Sequence, residues 1–424
     1  MRYILMNKDE PWALFSCIQD EFGEESAVLN EWQTELRPLG LQSLTAWLEK
    51  RRAPKHRKHI EQLLEQYGCI GLEGFLRVTH ALSLNDTFWV KEESETLGWD
   101  KVSLYRNEFD ALIAQAAFSG VISGESLFST SPEFGTDGYY AKCWVREPDG
   151  IYLYKGGSDT YEIEPLSEFL ACQIAAQICP QAVDYDLDFY HHRLISKCRL
   201  FTDEQAGLIK ISDFPDRPNS VSGLLKLYEK FGAEDVLRRM FVLDALILNT
   251  DRHLGNFGFL FDNQTMEIKK PAPVFDHNCS LLFDLDEDQL ANPDWYIGKC
   301  RPRIGVDFIK TARGMLTDEI RQEILDTLNR DTAKEYFEKL RDTEKNPTRG
   351  QVYAYRSWEQ STEDRADMFE VRALPWGSQI KDGVMKEFVV ALTAADIDEI
   401  IVTDQSTALM ESVHALVAEG AYLE

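Results

Sequence analysis

Two short segments carry the residues best suited to chemistry. In LILNTDRHLGNFGFLFD, residues 246–262, Asp251 and Asn256 are separated by four residues. Phosphotransferases use this D-x-x-x-x-N spacing for a carboxylate that takes the acceptor hydroxyl's proton and an amide that ligates Mg²⁺. The division of labour has a physical reason: an amide oxygen binds a hard cation without adding a second full charge beside the base. In APVFDHNCSLL, Asp276 follows Asn256 by twenty residues and offers a second hard-oxygen ligand from another chain segment, as an ion bridging nucleotide phosphates requires. Gly255 and Gly258 would permit close backbone turns. A plainer assignment stays open, in which Asp251 caps a turn, His253 is a packed imidazole and Asp276 is a turn residue.

The chain around these segments has 424 residues, with 45 Lys+Arg against 72 Asp+Glu, a net charge of −27. At 44% hydrophobic and 11% aromatic it is too apolar for disorder. Its mean field repels polyanions, which argues against direct binding of nucleic acid or of an acidic membrane. The eight cysteines are scattered and form no CxxC pair, so they read as reduced, buried thiols of a cytoplasmic protein. Asn7, Lys8, Asp9 and Glu10 interrupt the N-terminal apolar run before a signal-peptide core could form. The most apolar internal stretch, 241–248, contains Asp244 and is far shorter than the ~20 residues that span a bilayer.

The elements that must position the two segments follow from periodicity. Residues 1–120 read as an N-terminal α/β module, with a helical pattern over 41–48, a basic turn (Arg51, Arg52, Lys55, Arg57, Lys58), helical spacing at Ile60, Leu63, Leu64 and Tyr67, and a strand in SLNDTFWVKEE. The basic turn fits either a docking site for an acidic partner or a solvated loop. Residues 121–220 switch to short β runs: GYYAKCWVRE and IYLYKGG flank Pro148-Asp149-Gly150, a hairpin signal. The helix PLSEFLACQIAAQI follows, with one apolar face, and then strands at 182–189, 193–201 and 207–212. Residues 221–424 turn mainly helical, most clearly at 235–248, 318–328 and 334–340, with further helical patterns at 395–401 and 409–418.

Taken in order, Tyr154-Lys155-Gly156-Gly157, Ser167-Glu168-Phe169, Ser196-Lys197-Cys198, Asn249 to Asn256 and Ala272 to Asp276 resemble the HipA-like family of bacterial serine/threonine kinases. The core DRHxxN also looks like the catalytic loop of phosphoinositide kinases. The resemblance spans roughly 125–345 and is thinner elsewhere. It implies an α+β, bilobal, protein-kinase-like fold with a small β-rich N-lobe and a mainly helical C-lobe, preceded by the N-terminal module. Its cofactors would be ATP and Mg²⁺.

Carried over by position, Asp251 would be the base, with His253 supporting the loop or the transition-state charge. Asn256 and Asp276 would hold the metal. Lys155, steadied by Glu168, would contact the α/β-phosphates. Residues 129–138, STSPEFGTDG, would cover the phosphates, with Gly135 and Gly138 giving flexibility and Ser129, Thr130 or Ser131 available for autophosphorylation. The hinge against adenine would run from Lys197 through Cys198 and Leu200 to Phe201. There is no HRD triad, and His277-Asn278 follows Asp276 where eukaryotic kinases have Phe-Gly. The N-terminal module lacks a close match to the standard HipA one.

The expected function is ATP·Mg²⁺-dependent phosphorylation of a Ser/Thr hydroxyl on a protein, in a toxin with an antitoxin or regulatory partner or in a free-standing kinase. Rival readings are a lipid kinase, a small-molecule phosphotransferase of the aminoglycoside type and a nucleotide-binding pseudokinase. The acidic run 284–288, Asp-Leu-Asp-Glu-Asp, opposes phosphoinositide substrates. A dead module would be expected to have lost one of Lys155, Asp251, Asn256 or Asp276, and all four are present.

Overall fold

The computed structural model describes residues 1–54, 64–65, 67–69, 71–120, 131–136, 138, 140–158, 164–191, 193–284 and 299–327. These form a mixed α/β protein whose sheets are antiparallel, divided into two compact units interleaved along the chain. The first comprises 1–155, 198–217 and 257–272, and the second 156–197, 218–256 and from 273 onward.

Alternating side chains build the first sheet. Strands β1 (Arg2–Asn7), β2 (Glu10–Gln19), β3 (Glu25–Trp32) and β4 (Phe88–Glu92) pair in the order β3-β2-β1-β4. Registers Tyr3↔Phe15, Leu5↔Ala13 and Leu5↔Val90 put these buried residues on one face, as a period of two requires. Tyr3 stacks on Phe15 with ring centroids 5.5 Å apart.

Helix α1 (Leu44–Glu49) starts at Ser43, whose Oγ accepts from the Ala46 N–H, and α2 (Gly71–Thr79) and one helical turn α3 (Trp99–Val102) follow. Asp110 caps α4 (Ala111–Ser119), which ends on left-handed Gly120. The two described residues of the basic turn, Arg51 and Arg52, are engaged inside the module. Arg51 is buried and its guanidinium grips both Asp86 oxygens at 2.6 and 2.8 Å, while Arg52 bonds Glu49. Lys55, Arg57, Lys58 and the helical pattern at 60–63 lie outside the described residues.

The predicted hairpin forms. Strand β5 (Lys142–Glu147) pairs with β6 (Gly150–Gly156) through the two-residue turn Pro148-Asp149, with Lys142 opposite Lys155. Strand β9 (Ala206–Lys210) pairs with β10 (Gly258–Asp262), which pairs with β11 (Ile268–Pro271). Gly258 serves close approach rather than a turn: a Cβ there would stand 2.0 Å from the Ile209 carbonyl oxygen across the ladder.

In the second unit α5 (Glu164–Ile178) is buried almost all round instead of along one face. Its polar residues are bonded inside, Ser167 Oγ to the Ser280 carbonyl at 2.8 Å and Gln173 Nε2 to that of Phe169 at 3.2 Å. Strands β7 (Asp186–Tyr190) and β8 (Arg193–Arg199) form a hairpin. Helices α6 (Val221–Lys230) and α7 (Glu234–Leu246) lead to the polar loop, and α8 (Phe308–Met315), capped by Asp307, packs on α7. Helix α9 (Asp318–Thr327) is tied to α7 by Arg239, which bonds both Asp235 and Glu323. The helical patterns at 334–340, 395–401 and 409–418 lie outside the described residues.

Candidate active site

The loop that follows α7 owes its shape to a buried ion pair. The chain leaves the helix through Leu248 in a left-handed conformation (φ 52°), and Asn249 turns inward. Asp244, on the last turns of α7, binds Arg252 of the loop: Arg252 Nε lies 3.0 Å from Asp244 Oδ2 and Nη2 3.0 Å from Oδ1. The side chains are 2% and 4% exposed. Burial pushes the Asp244 carboxyl up, against the opposing pull of Arg252, while the Arg252 guanidinium, despite the burial that would lower it, is held above its ordinary value by Asp244.

From this anchor Arg252 stitches two segments together. Its Nη1 donates to the Asn256 carbonyl at 3.0 Å and to the Phe275 carbonyl, and its Nη2 donates to His277 Nδ1 at 3.2 Å. Because a guanidinium only donates, this contact requires His277 Nδ1 to be the unprotonated ring nitrogen. Asn249 makes a second stitch: its Oδ1 accepts from the Asp251 N–H at 3.0 Å, and its Nδ2 donates to Asp244 Oδ1 at 3.2 Å and to the Asp276 carbonyl at 3.3 Å. Thr250 adds a third by donating its N–H to the Cys279 carbonyl at 3.0 Å.

Asp251, Asn256 and Asp276 are thus carried by two strips of backbone that the same buried side chains hold. Asn256 Nδ2 donates to the Asp251 carbonyl at 3.2 Å, leaving Oδ1 as its acceptor. His253 Nδ1 accepts from the Gly255 N–H at 3.0 Å, so the imidazole shapes the loop, and the backbone N–H of His253 donates to the Asp251 carbonyl at 2.8 Å. Asp276 sits at φ 65°, a conformation that non-glycine residues adopt at a cost and that concentrates at functional sites. Its N–H donates to the Tyr185 hydroxyl at 3.1 Å, and the next N–H, of His277, donates to Glu168 Oε1 at 3.3 Å. Glu168 Oε2 accepts from Ser196 Oγ at 2.6 Å. Within this unit Glu168 therefore holds the peptide after Asp276.

The carboxylate of Asp251 faces outward, 33% exposed, and pairs with Arg303, whose Nε is 2.7 Å from Oδ1. Among the described residues no group of three or more His, Cys, Asp and Glu could hold a metal ion. What the site offers is one carboxylate and one amide oxygen, the donor set that suits Mg²⁺ when substrate phosphates supply further ligands.

The remaining predicted residues are placed as follows. Lys155 is buried at the end of β6, in the first unit. Lys197 pairs at 3.7 Å with Asp188 across the β7–β8 hairpin. Cys198 is buried, and the Leu200 N–H is spent on the Ile151 carbonyl at 2.8 Å. Ser131 does not lie on a loose flap. It precedes a 3₁₀ turn, Pro132–Gly135, that is buried against the N-terminal module: the Ala53 N–H donates to the Phe134 carbonyl at 2.7 Å, and a Cβ on Gly135 would stand 2.9 Å from the Arg51 carbonyl. Ser131 Oγ bonds Glu133, whose other oxygen accepts from the Trp144 N–H at 2.8 Å. Ser129, Thr130 and residues 285–288 of the acidic run lie outside the described residues.

The sequence pattern gave no role to Asp244, Asn249, Arg252, Tyr185 or Arg303. The signal for the first was present as the one charge in the apolar stretch 241–248, since a buried carboxylate demands a cation.

No model of a known protein family matches the chain. Its sequence is 30% identical over 139 residues to the serine/threonine-protein kinase CtkA of Helicobacter pylori. The chain resembles the HipA-like serine/threonine kinases. The aligned part is 28% of this chain and 42% of the relative, so the chain spans less than half of the curated protein it matches. Among solved structures, the H. pylori proinflammatory kinase CtkA is similar with a TM-score of 0.46 and 18% identity, over 69% of this chain and 96% of that one. The Shewanella oneidensis toxin HipA, solved with HipB and operator DNA, is similar with a TM-score of 0.45 and 12% identity, over 80% and 94%. Among the described residues no helix is long and apolar enough to cross a membrane.

Proposed function

We propose that the chain is an ATP·Mg²⁺-dependent protein serine/threonine kinase of HipA-like type, with a small β-rich lobe and a mainly helical lobe. The observation that supports this most is the stitching of Asp251 and Asn256 to Asp276 by Asn249 and Arg252. Phosphoryl transfer depends on positioning and charge neutralisation more than on covalent chemistry, and buried anchors of this kind provide positioning. When bound, MgATP supplies the γ-phosphoryl group and neutralises its developing charge.

The chain's own residues then have separate tasks. Asp251, whose carboxylate is outward-facing, orients the acceptor hydroxyl and takes its proton. Asn256 Oδ1 and the Asp276 carboxylate hold the metal. His253 keeps the loop in shape through Gly255, and Glu168 fixes the peptide beside Asp276. Lys155 contacts the α/β-phosphates, and the chain from Lys197 to Leu200 borders the adenine. Autophosphorylation at Ser131 would require its buried turn to open first, whereas Ser129 and Thr130 precede that turn. An antitoxin or regulatory partner rests on the family resemblance alone.

The test is transfer of label from γ-labelled ATP by the full chain and by Asp251→Ala. Loss of a positioned proton acceptor lowers rates by about 10²–10⁴-fold, so Asp251→Ala should lose transfer while still binding MgATP. Full activity in that variant would end the assignment. Label that passes to a cationic metabolite and to no protein would point to the small-molecule phosphotransferase instead.

A further inference from the structure

The ion pair between Arg303 and Asp251 has no place in the roles above. It is not a chance meeting of two mobile side chains. Arg303 lies in the loop entering α8, two residues before Gly305, which holds φ 106°, and a Cβ at Gly305 would stand 2.3 Å from Thr311 Oγ1 on that helix. Asp307 then caps α8 by accepting from the Lys310 N–H at 2.7 Å, and α8 packs on α7, the helix that carries Asp244. The loop path is therefore fixed by a glycine-dependent turn, a cap and a helix contact. That path brings the Arg303 guanidinium to Asp251.

Asp251 needs such a cation. It and Asp276 are two carboxylates in a site proposed to admit a polyphosphate, and a like charge within a few ångströms repels an incoming anion strongly at the low effective dielectric of a protein surface. Asp276 would have the metal it is proposed to hold as counter-charge. Asp251, as the base, must stay unmetallated, and among the described residues Arg303 is its ion-pair partner.

We propose that Arg303 is the counter-charge of the base, a positioning residue that holds the Asp251 carboxylate by one oxygen and cancels its repulsion of the nucleotide's γ-phosphate. This rests on the kinase reading, since the charge it offsets matters only if a polyphosphate enters. The guanidinium is suited to the task because it never loses its proton.

The role predicts a specific order of affinities. Affinity for MgATP is measured by titration calorimetry for the full-length wild type and for Arg303→Ala, Arg303→Lys, Asp251→Asn and the double variant Arg303→Ala with Asp251→Asn. Arg303→Ala should weaken binding about 10- to 100-fold, a range equivalent to one unit-charge interaction at a partly screened site. Arg303→Lys should recover most of that loss, since the charge remains. Asp251→Asn should tighten binding by a similar factor, because the uncancelled arginine then attracts the phosphates, and the double variant should return to within threefold of wild type, because the two charge contributions add. A passive surface pair would leave all five proteins within threefold of one another. An arginine that instead shields the base as a lid would make Arg303→Ala bind MgATP as tightly as wild type and transfer phosphate faster. Either result overturns the proposal while the kinase reading stands, and a wild type that binds no MgATP overturns both.

Discussion

Two arginines meet two aspartates at the polar loop, and the pairs are opposite in kind. Arg252 and Asp244 are 2% and 4% exposed, with the guanidinium fully engaged by Asp244, Asn256, Phe275 and His277. Arg303 and Asp251 are 60% and 33% exposed and meet at a single close approach. The inner pair has lost its water and must keep every bond it makes, because a lone buried charge is very costly. The outer pair stays hydrated, so it can open and close at little cost. The same two residue types thus give a rigid frame on one side of the loop and a hydrated charge pair on the other.

Breaking the inner pair should have the larger effect on folding. Arg252→Ala or Asp244→Ala should each destabilise the protein by about 3–5 kcal/mol, read as a shift in the urea midpoint. Replacing both at once, Asp244→Leu with Arg252→Met, should restore much of that stability, since an apolar pair of similar volume avoids the desolvation cost. The double variant would still lose the bonds to the Asn256 and Phe275 carbonyls, so transfer should stay low even where folding recovers. Recovery of both would show that the stitching has no part in activity.

The outer pair should be nearly silent in the same assay. Arg303→Ala should move stability by less than about 1 kcal/mol, as exposed pairs do. A loss as large as that of Arg252→Ala would contradict the contrast between the two pairs.

A third arginine sharpens the comparison at the small end. Arg239 is buried but bonds the exposed carboxylate Glu323, and that hydrogen bond holds the Glu323 carboxyl below its ordinary 4.5. A carboxyl lowered by folding adds stability above its unfolded value, and that stability is lost as pH falls through the folded one. Glu323→Gln should therefore lower the urea midpoint slightly at neutral pH, with the difference from wild type fading as pH drops below about 4.5. A difference that persists unchanged into acid would assign the effect to packing.

The legible parts of the molecule were those with local signals. Pro148-Asp149-Gly150 between β-branched and aromatic runs announced the hairpin, and the D-x-x-x-x-N spacing with Asp276 pointed to the two strips of backbone that the structure stitches together. Strands β1 to β3 went unread although the turn from Asp20 to Gly23, closed by the Gly23 N–H on the Asp20 carbonyl, is a local signal between β2 and β3. Helix α5 reads as amphipathic, yet Ser167 and Glu168 face inward, since their partners Ser280 and His277 come from more than a hundred residues away. Arg51 looked like part of a basic patch for the same reason: its counter-ion, Asp86, is thirty-five residues distant. Arg303 was invisible because only the Gly305 turn and the docking of α8 bring it to Asp251.

The most direct test of the central claim is intact-mass spectrometry of the full chain incubated with Mg²⁺ and ATP beside Asp276→Asn, together with label transfer from γ-labelled ATP to a generic protein acceptor such as casein. The account predicts magnesium-dependent transfer by the wild type, to itself or to casein, and a loss of at least about 10²-fold in Asp276→Asn, where a metal ligand has given up its charge. Equal transfer by the two proteins would contradict it.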